Sequence, residues 1–183
     1  QVIGSKEYWR FRWIVLSQLQ SVWMKQAGNN PVRPDKPTVD LLLSLIKNDS
    51  SWVKFAAIGF LGNTKDAAYT SIYLNNLYDK SDRVVYAAAI ALGKTKSSEA
   101  FEALRKLPAR PSWNYQSLIS SLAGLKELGD PGGYTIAFEA MMETTSPRWT
   151  LVTPLWDYQI QAALTIVALN KQEEAFPAVM DRF

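Results

Sequence analysis

Displaced by 31 residues, the chain falls on itself. "DRVVYAAAIALGKTKSSEAFEAL", from Asp82 to Leu104, lies over "SWVKFAAIGFLGNTKDAAYTSI", with Val84 on Val53, Tyr86 on Phe55 and Ala87 and Ala88 on Ala56 and Ala57. The match continues with Leu92 on Leu61, Gly93 on Gly62, Thr95 on Thr64 and Lys96 on Lys65. A shift of 33 carries Leu92 onto Leu125 and Ser97 onto Asp130 in "SLISSLAGLKELGDPGGYTIAFEAM". A fourth copy is visible as "AALTIVALNKQEEAFPAVM", where "AFPAV" at Ala175–Val179 echoes "AFEAL" at Ala100–Leu104. Self-similarity at a period of about 20 to 50 residues is the mark of a stacked-repeat architecture.

Each copy reads as two helices. Val84, Ala88, Ala91 and Leu92 recur at i, i+4, i+7 and i+8, and Ala100, Phe101, Leu104 and Leu107 trace a second apolar face after a break. The break carries turn chemistry. Gly93 is expected just past a helix end, Ser97, Asp66 and Asp130 are expected to cap the next helix, and Pro131 to open one. Small residues at Ala56, Ala57, Ala87, Ala88, Ala89, Ala162 and Ala163 let helix axes approach to the short end of the roughly 8 to 10 Å packing range. A lone hairpin cannot bury its apolar face, whereas a stack of about three or more can. The expected fold is all-α: a single domain over residues 1–183, a right-handed α-α superhelix of about five helical hairpins.

The first stretch, Lys6 to Ala27, is aromatic and helical in pattern. Trp9, Trp13, Leu16, Gln20 and Trp23 share one face, and Lys6, Arg10, Ser17 and Ser21 another. It is expected to pair with Thr38–Ile46 across "GNNPVRPDKP", whose prolines stop a helix. Being apolar around much of its girth, it suits burial either as a core-filling cap or against another domain. Two inserts interrupt the array, Leu107–Trp113 and Ser146–Asp157. Trp, Tyr and Arg dominate interface hot spots, so partner contacts are expected at Trp9, Arg10, Trp13, Arg110, Trp113, Arg148, Trp149 and Trp156. The concave surface lined by the second helices is the default contact face.

Composition removes most chemistry. The chain holds no cysteine and no histidine, which excludes a thiolate nucleophile, an imidazole base, a disulfide framework and an ordinary zinc site. No catalytic, cofactor or metal residue is expected. A net charge of +3 comes from 20 cations interspersed with 17 acids, so no nucleic-acid footprint is expected. No apolar run nears the roughly 20 residues of a membrane span. A soluble chain, cytoplasmic or exported, is expected. "GDPGGYT" lacks the spacing of a phosphate loop, and Glu99, Glu102, Glu173 and Glu174 fall at helix starts, where they complement the macrodipole. Opening on Gln1 rather than Met, the chain is expected to be a processed form or a piece of a larger protein.

"AAAIALG" (Ala87–Gly93), "LGDP" (Leu128–Pro131) and "AFEAL" resemble the HEAT-like repeats named for phycobilisome lyase subunits, over roughly residues 38 to 183. The pattern is departed from where Lys65, Lys96 and Asn170 stand in place of glycine. This resemblance implies a binding or supporting role toward a protein partner or an upstream domain. The aromatic first helix and "SSWVKFAAIGFLGN" are also similar to the C-terminal helical domain of gluzincin zinc aminopeptidases, which implies support of a catalytic domain elsewhere. Some DNA glycosylases acting on alkylated bases are built of HEAT-like repeats too. Arg148, Trp149, Trp156 and Asp157 are the nearest imitation of their site.

Overall fold

The computed structural model describes residues 8–28, 30–143 and 156–181. Among them the chain is helical and runs in order α1 (Trp9–Ala27), α2 (Lys36–Asn48), α3 (Ser51–Gly62), α4 (Thr70–Asn76), α5 (Asp82–Thr95), α6 (Ala100–Lys106), α7 (Gln116–Leu128), α8 (Gly133–Met142), α9 (Trp156–Ala168) and α10 (Gln172–Met180). Short 3-10 turns precede α4 and α7 and follow α6. Consecutive helices alternate between first helices and second helices, and the expected packing of α1 on the Thr38–Ile46 helix is replaced by packing of α2 on α3. The first helices, α1, α3, α5, α7 and α9, pack on one another in sequence order, and each second helix from α2 to α8 packs on the first helix that follows it. This is a solenoid, as the repeat spacing predicts.

The first helices run parallel, because their ends meet like with like. Near the starts of α1 and α3, Trp13 meets Trp52 at 5.0 Å, while toward their ends Trp23 meets Phe60 at 5.2 Å. The core follows the row. Leu16, Leu42, Val53, Leu61, Val84, Leu92, Leu104 and Leu125 are buried in one continuous cluster. A second cluster of Leu122, Ala137, Tyr158, Ala162 and Ile166 adjoins it through α7.

The turn inside each hairpin repeats in atomic detail. The hydroxyls of Thr64 and Thr95 donate to the carbonyls of Leu61 and Leu92, both at 2.7 Å, and accept from the amides of Asp66 and Ser97, both at 3.3 Å. A left-handed residue follows each first helix from α3 onward: Lys65, Lys96, Gly129 and Asn170. These are the positions where the glycine pattern is kept once and broken three times. A lysine held there pays a steric penalty of about 1–2 kcal/mol that glycine avoids. Lys96 recovers part of it, since its ammonium donates to the carbonyls of Glu127 and Leu128 (2.6 Å for Leu128) at the end of α7, where the helix dipole favours a cation.

Four local expectations are corrected. Gly93 lies inside α5, not past its end, because a Cβ there would stand 2.2 Å from the carbonyl oxygen of Gly124. Backbone contact with α7 requires that glycine. Asp66 and Asp130 do accept amide hydrogens, from Ala68 and Gly132 at 2.8 Å, but the hydroxyl of Ser97 is buried without a partner and caps nothing. Pro131 sits in the turn before α8, whose first residue is Gly133. Ala163 is exposed on α9 rather than packed between helices.

A candidate interaction edge

The starts of the first helices, together with the loops that lead into them, form one edge of the solenoid. Trp52, the second residue of α3, is its centre. The ring of Trp9 stacks on it with centroids 6.4 Å apart and planes 13° from parallel, and Trp13 tilts against it at 5.0 Å. The guanidinium of Arg83 lies 3.3 Å from the Trp52 centroid, and that of Arg10 lies 5.3 Å from Trp9. Cations over indole faces are held by the ring quadrupole, worth about 0.5–2 kcal/mol each depending on desolvation. Arg83 occupies the same place in α5 as Trp52 in α3, so the pair is a product of the repeat.

Ion pairs pin the loops beneath these side chains. Arg12 grips Asp49 with two bonds, 2.7 and 2.9 Å, and the same carboxylate accepts from the Ser50 amide at 2.7 Å. Burial pushes the Asp49 carboxyl up, but the guanidinium and the amide outweigh it and hold it below the usual carboxylate range. One repeat on, Lys54 reaches Asp79 at 3.0 Å, whose carboxylate accepts from the Ser81 amide at 2.8 Å. Arg110 then ties the next two loops together through Asp82 (2.7 Å), the Asp79 carbonyl (2.8 Å) and the Ser117 hydroxyl (3.2 Å).

Two aromatics stand clear of this framework: Tyr78 is 82% exposed and Trp113 is 75% exposed. The backbone after Trp113 is shaped to put it there. Asn114 and Tyr115 both have positive φ, 52° and 58°, and Tyr115 turns inward to meet Tyr158 at 5.0 Å. A bulky residue in the left-handed region costs about 1–3 kcal/mol, a strain that gathers at functional positions.

Of the residues singled out from sequence, Trp9, Arg10, Trp13, Arg110 and Trp113 all fall on this edge. Trp9 and Trp13 are half-buried in the indole stack, and Arg110 spends its hydrogen bonds inside the chain; Arg10 and Trp113 face outward. Trp156 opens α9, at the corresponding end of the last first helix, while Arg148 and Trp149 lie outside the described residues. Trp52, Arg83 and Tyr78 were not singled out. The available signal was their spacing: Trp52 and Arg83 are superposed by the 31-residue shift.

The second helices offer a lesser feature. Between α6 and α8 runs a shallow groove of about 670 Å³, bordered by Arg105, Leu118, Ile136, Glu139 and Met142. Arg105 at its rim is paired with Glu102 at 2.7 Å.

Parallel first helices, second helices each packed on the first helix that follows and a turn motif repeated along the row define an α-helical repeat protein. Residues 39–123 match the family described as HEAT repeats, so the span from α2 into α7 is HEAT-like. No curated protein matches the chain. No helix among the described residues is long and apolar enough to cross a membrane.

Proposed function

We propose that the chain is a non-catalytic protein-interaction scaffold whose contact face is the aromatic edge. The observation that carries this reading is the loop of Trp113: two consecutive left-handed residues spend conformational energy to hold an indole in water, and Arg110 locks that loop to its neighbour. Exposed aromatics on a rigid frame are the usual anchors of protein interfaces. Three of the five edge cations, Arg12, Lys54 and Arg110, are matched by carboxylates, and the other two, Arg10 and Arg83, lie over indole rings, which favours a protein partner over a phosphate backbone.

The test is retention of a partner by the wild type and by Trp113→Ala with Tyr78→Ala. Both side chains are solvent-exposed, so the thermal midpoint is expected to hold while retention falls tenfold or more. Unchanged retention would remove the edge as the contact face. Salt-sensitive DNA binding with release of an alkylated base would replace the scaffold by the glycosylase reading. The finer reading, support of a zinc aminopeptidase, rests on helix-pattern likeness, and an H-E-x-x-H motif in the reading frame around this chain is what it requires.

A further inference from the structure

The two ends of the solenoid are both apolar, and they differ in charge. On α1 the indoles and Leu16 turn inward to α3, leaving Phe11, Ile14, Val15, Leu19 and Val22 outward, each between 37% and 51% exposed. On α9, Tyr158, Ala162 and Thr165 turn toward α7, where Thr165 donates to the Leu122 carbonyl at 3.0 Å. The opposite face shows Ile160, Leu164 and Val167, each about half exposed (53%, 49% and 57%). Both stripes follow the three- and four-residue steps by which one helix packs along another. Terminal repeats that end in water carry polar outer faces, and neither of these does.

We propose that copies of the chain stack head to tail, the outer face of α9 in one seating on the outer face of α1 in the next. Charge selects this occupant. The described part of α1 bears Arg10, Arg12 and Lys25 and no acid, a net of +3; the residues from Trp156 to Asp181 bear Asp157, Glu173, Glu174 and Asp181 against Lys171 alone, a net of −3. Arg12 is spent on Asp49 and Glu174 on Lys171, which leaves Arg10 and Lys25 exposed at one end and Glu173 and Asp181 exposed at the other. Two copies joined through their α1 ends would set like charges side by side, whereas the α1 end of one copy against the α9–α10 end of the next brings together unlike ones. The geometry agrees, because each internal first helix already packs on a parallel neighbour, and α1 of a second copy would continue the row as its next member. The interface joins two different surfaces, so it does not close on itself and grows along the solenoid axis. This inference does not rest on the aromatic edge, with which it shares Arg10 alone.

Sedimentation velocity on the full chain over a micromolar concentration series tests it. The wild type is expected to shift from monomer to a ladder of oligomers. Ile14→Glu blocks one end and Leu164→Glu the other; both sites are exposed, and circular dichroism confirms the fold of each variant. Each alone is expected to lose every species above monomer or a weak residual dimer, and their equimolar mixture to restore a 1:1 dimer and stop there, since the two remaining faces are both blocked. A wild type that stays monomeric throughout, a mixture that stays monomeric, or an Ile14→Glu chain that oligomerises as the wild type does overturns the proposal. In the first case the faces belong to another protein or to further repeats of the same chain, and in the second the copies associate through other surfaces. Failure here leaves the retention experiment on Trp113 and Tyr78 untouched.

Discussion

Gly93→Ala is the sharpest test of how the repeats are held together. A Cβ at this position would lie 2.2 Å from the Gly124 carbonyl oxygen and 3.0 Å from Glu127 Cβ, so α5 and α7 must part. Contacts between carbon and a carbonyl oxygen are comfortable at about 3.3 Å, which asks for an opening of roughly 1 Å along the tightest helix pair in the row. Overpacking of this kind costs typically 1–3 kcal/mol or more, and alanine returns about 1 kcal/mol of helix propensity. Because the blocking atom is backbone and cannot rotate away, the cost lies at the top of its range and the net loss is about 2 kcal/mol. At about 2–4 °C per kcal/mol for a chain of this size, the thermal midpoint falls by roughly 4–8 °C. Gly59→Ala is the control. It is also helical, but its added Cβ would meet only the flexible Gln20 amide at 3.5 Å. The propensity gain there is unopposed, and the midpoint rises by about 2–4 °C. Thermal and urea unfolding followed by circular dichroism measure both. If Gly93→Ala matched or exceeded the wild type, the close backbone approach would not exist and the stacking argument would fail.

Substitutions at three further positions probe other parts of the frame. The Tyr73 hydroxyl is fully buried without a partner, and burial also drives its pKa upward; Tyr73→Phe removes the unmet hydrogen bond and is expected to stabilise by about 1 kcal/mol, read in urea. Lys96→Met keeps the left-handed strain and loses the two carbonyl bonds, so it costs about 0.5–1 kcal/mol, whereas Lys96→Gly trades one for the other and stays within about 0.5 kcal/mol of wild type; a Lys96→Met chain as stable in urea as the wild type would show that the ammonium contributes nothing. Asp49→Asn breaks the Arg12 clamp and costs about 2 kcal/mol at neutral pH. Since the Asp49 carboxyl is held below its ordinary value, its contribution is complete above a pH of about 3.9 and is lost as pH falls through the lowered value, so the gap between wild type and Asp49→Asn should narrow in acid titrations below that point.

The architecture was legible because the repeat is written in identities, and identities at a fixed spacing report stacking directly. Helix ends were less so. Local rules put Gly93 past the end of α5, since glycine is the common left-handed residue there. The helix runs on to Thr95 because Lys96 takes that conformation instead, supported by carbonyls of α7 that no local window contains. The edge was half legible. Aromatic and arginine enrichment pointed to Trp9, Arg10, Trp13, Arg110 and Trp113, yet residue type could not tell the indoles that fill from the one that faces water. Arg110 looks like Arg10 in sequence and differs only in what the fold brings to it, Asp82 and Ser117. Trp52 was passed over for the same reason: it became a centre only when α1 and α5 supplied Trp9, Trp13 and Arg83.

The two sides of the row of first helices are built on opposite principles. Toward their C-terminal halves the backbones touch: a Cβ on Gly62 would reach Ala91 Cβ at 2.7 Å, and one on Gly124 would reach the Ala89 carbonyl oxygen at 2.7 Å. Toward their N-terminal ends the spacing is filled by packed side chains, with Trp9 and Arg83 both against the Trp52 ring. In a row close-packed at one end and filled by side chains at the other, a change of spacing at the glycines is passed through the packed helices to the loops of the edge. The glycines that permit contact at the far end therefore help set the spacing of Tyr78 and Trp113, although no partner would ever touch them. A substitution such as Gly93→Ala should alter recognition at the edge as well as stability, and the two effects should travel together across a series of residues of increasing size at that one position.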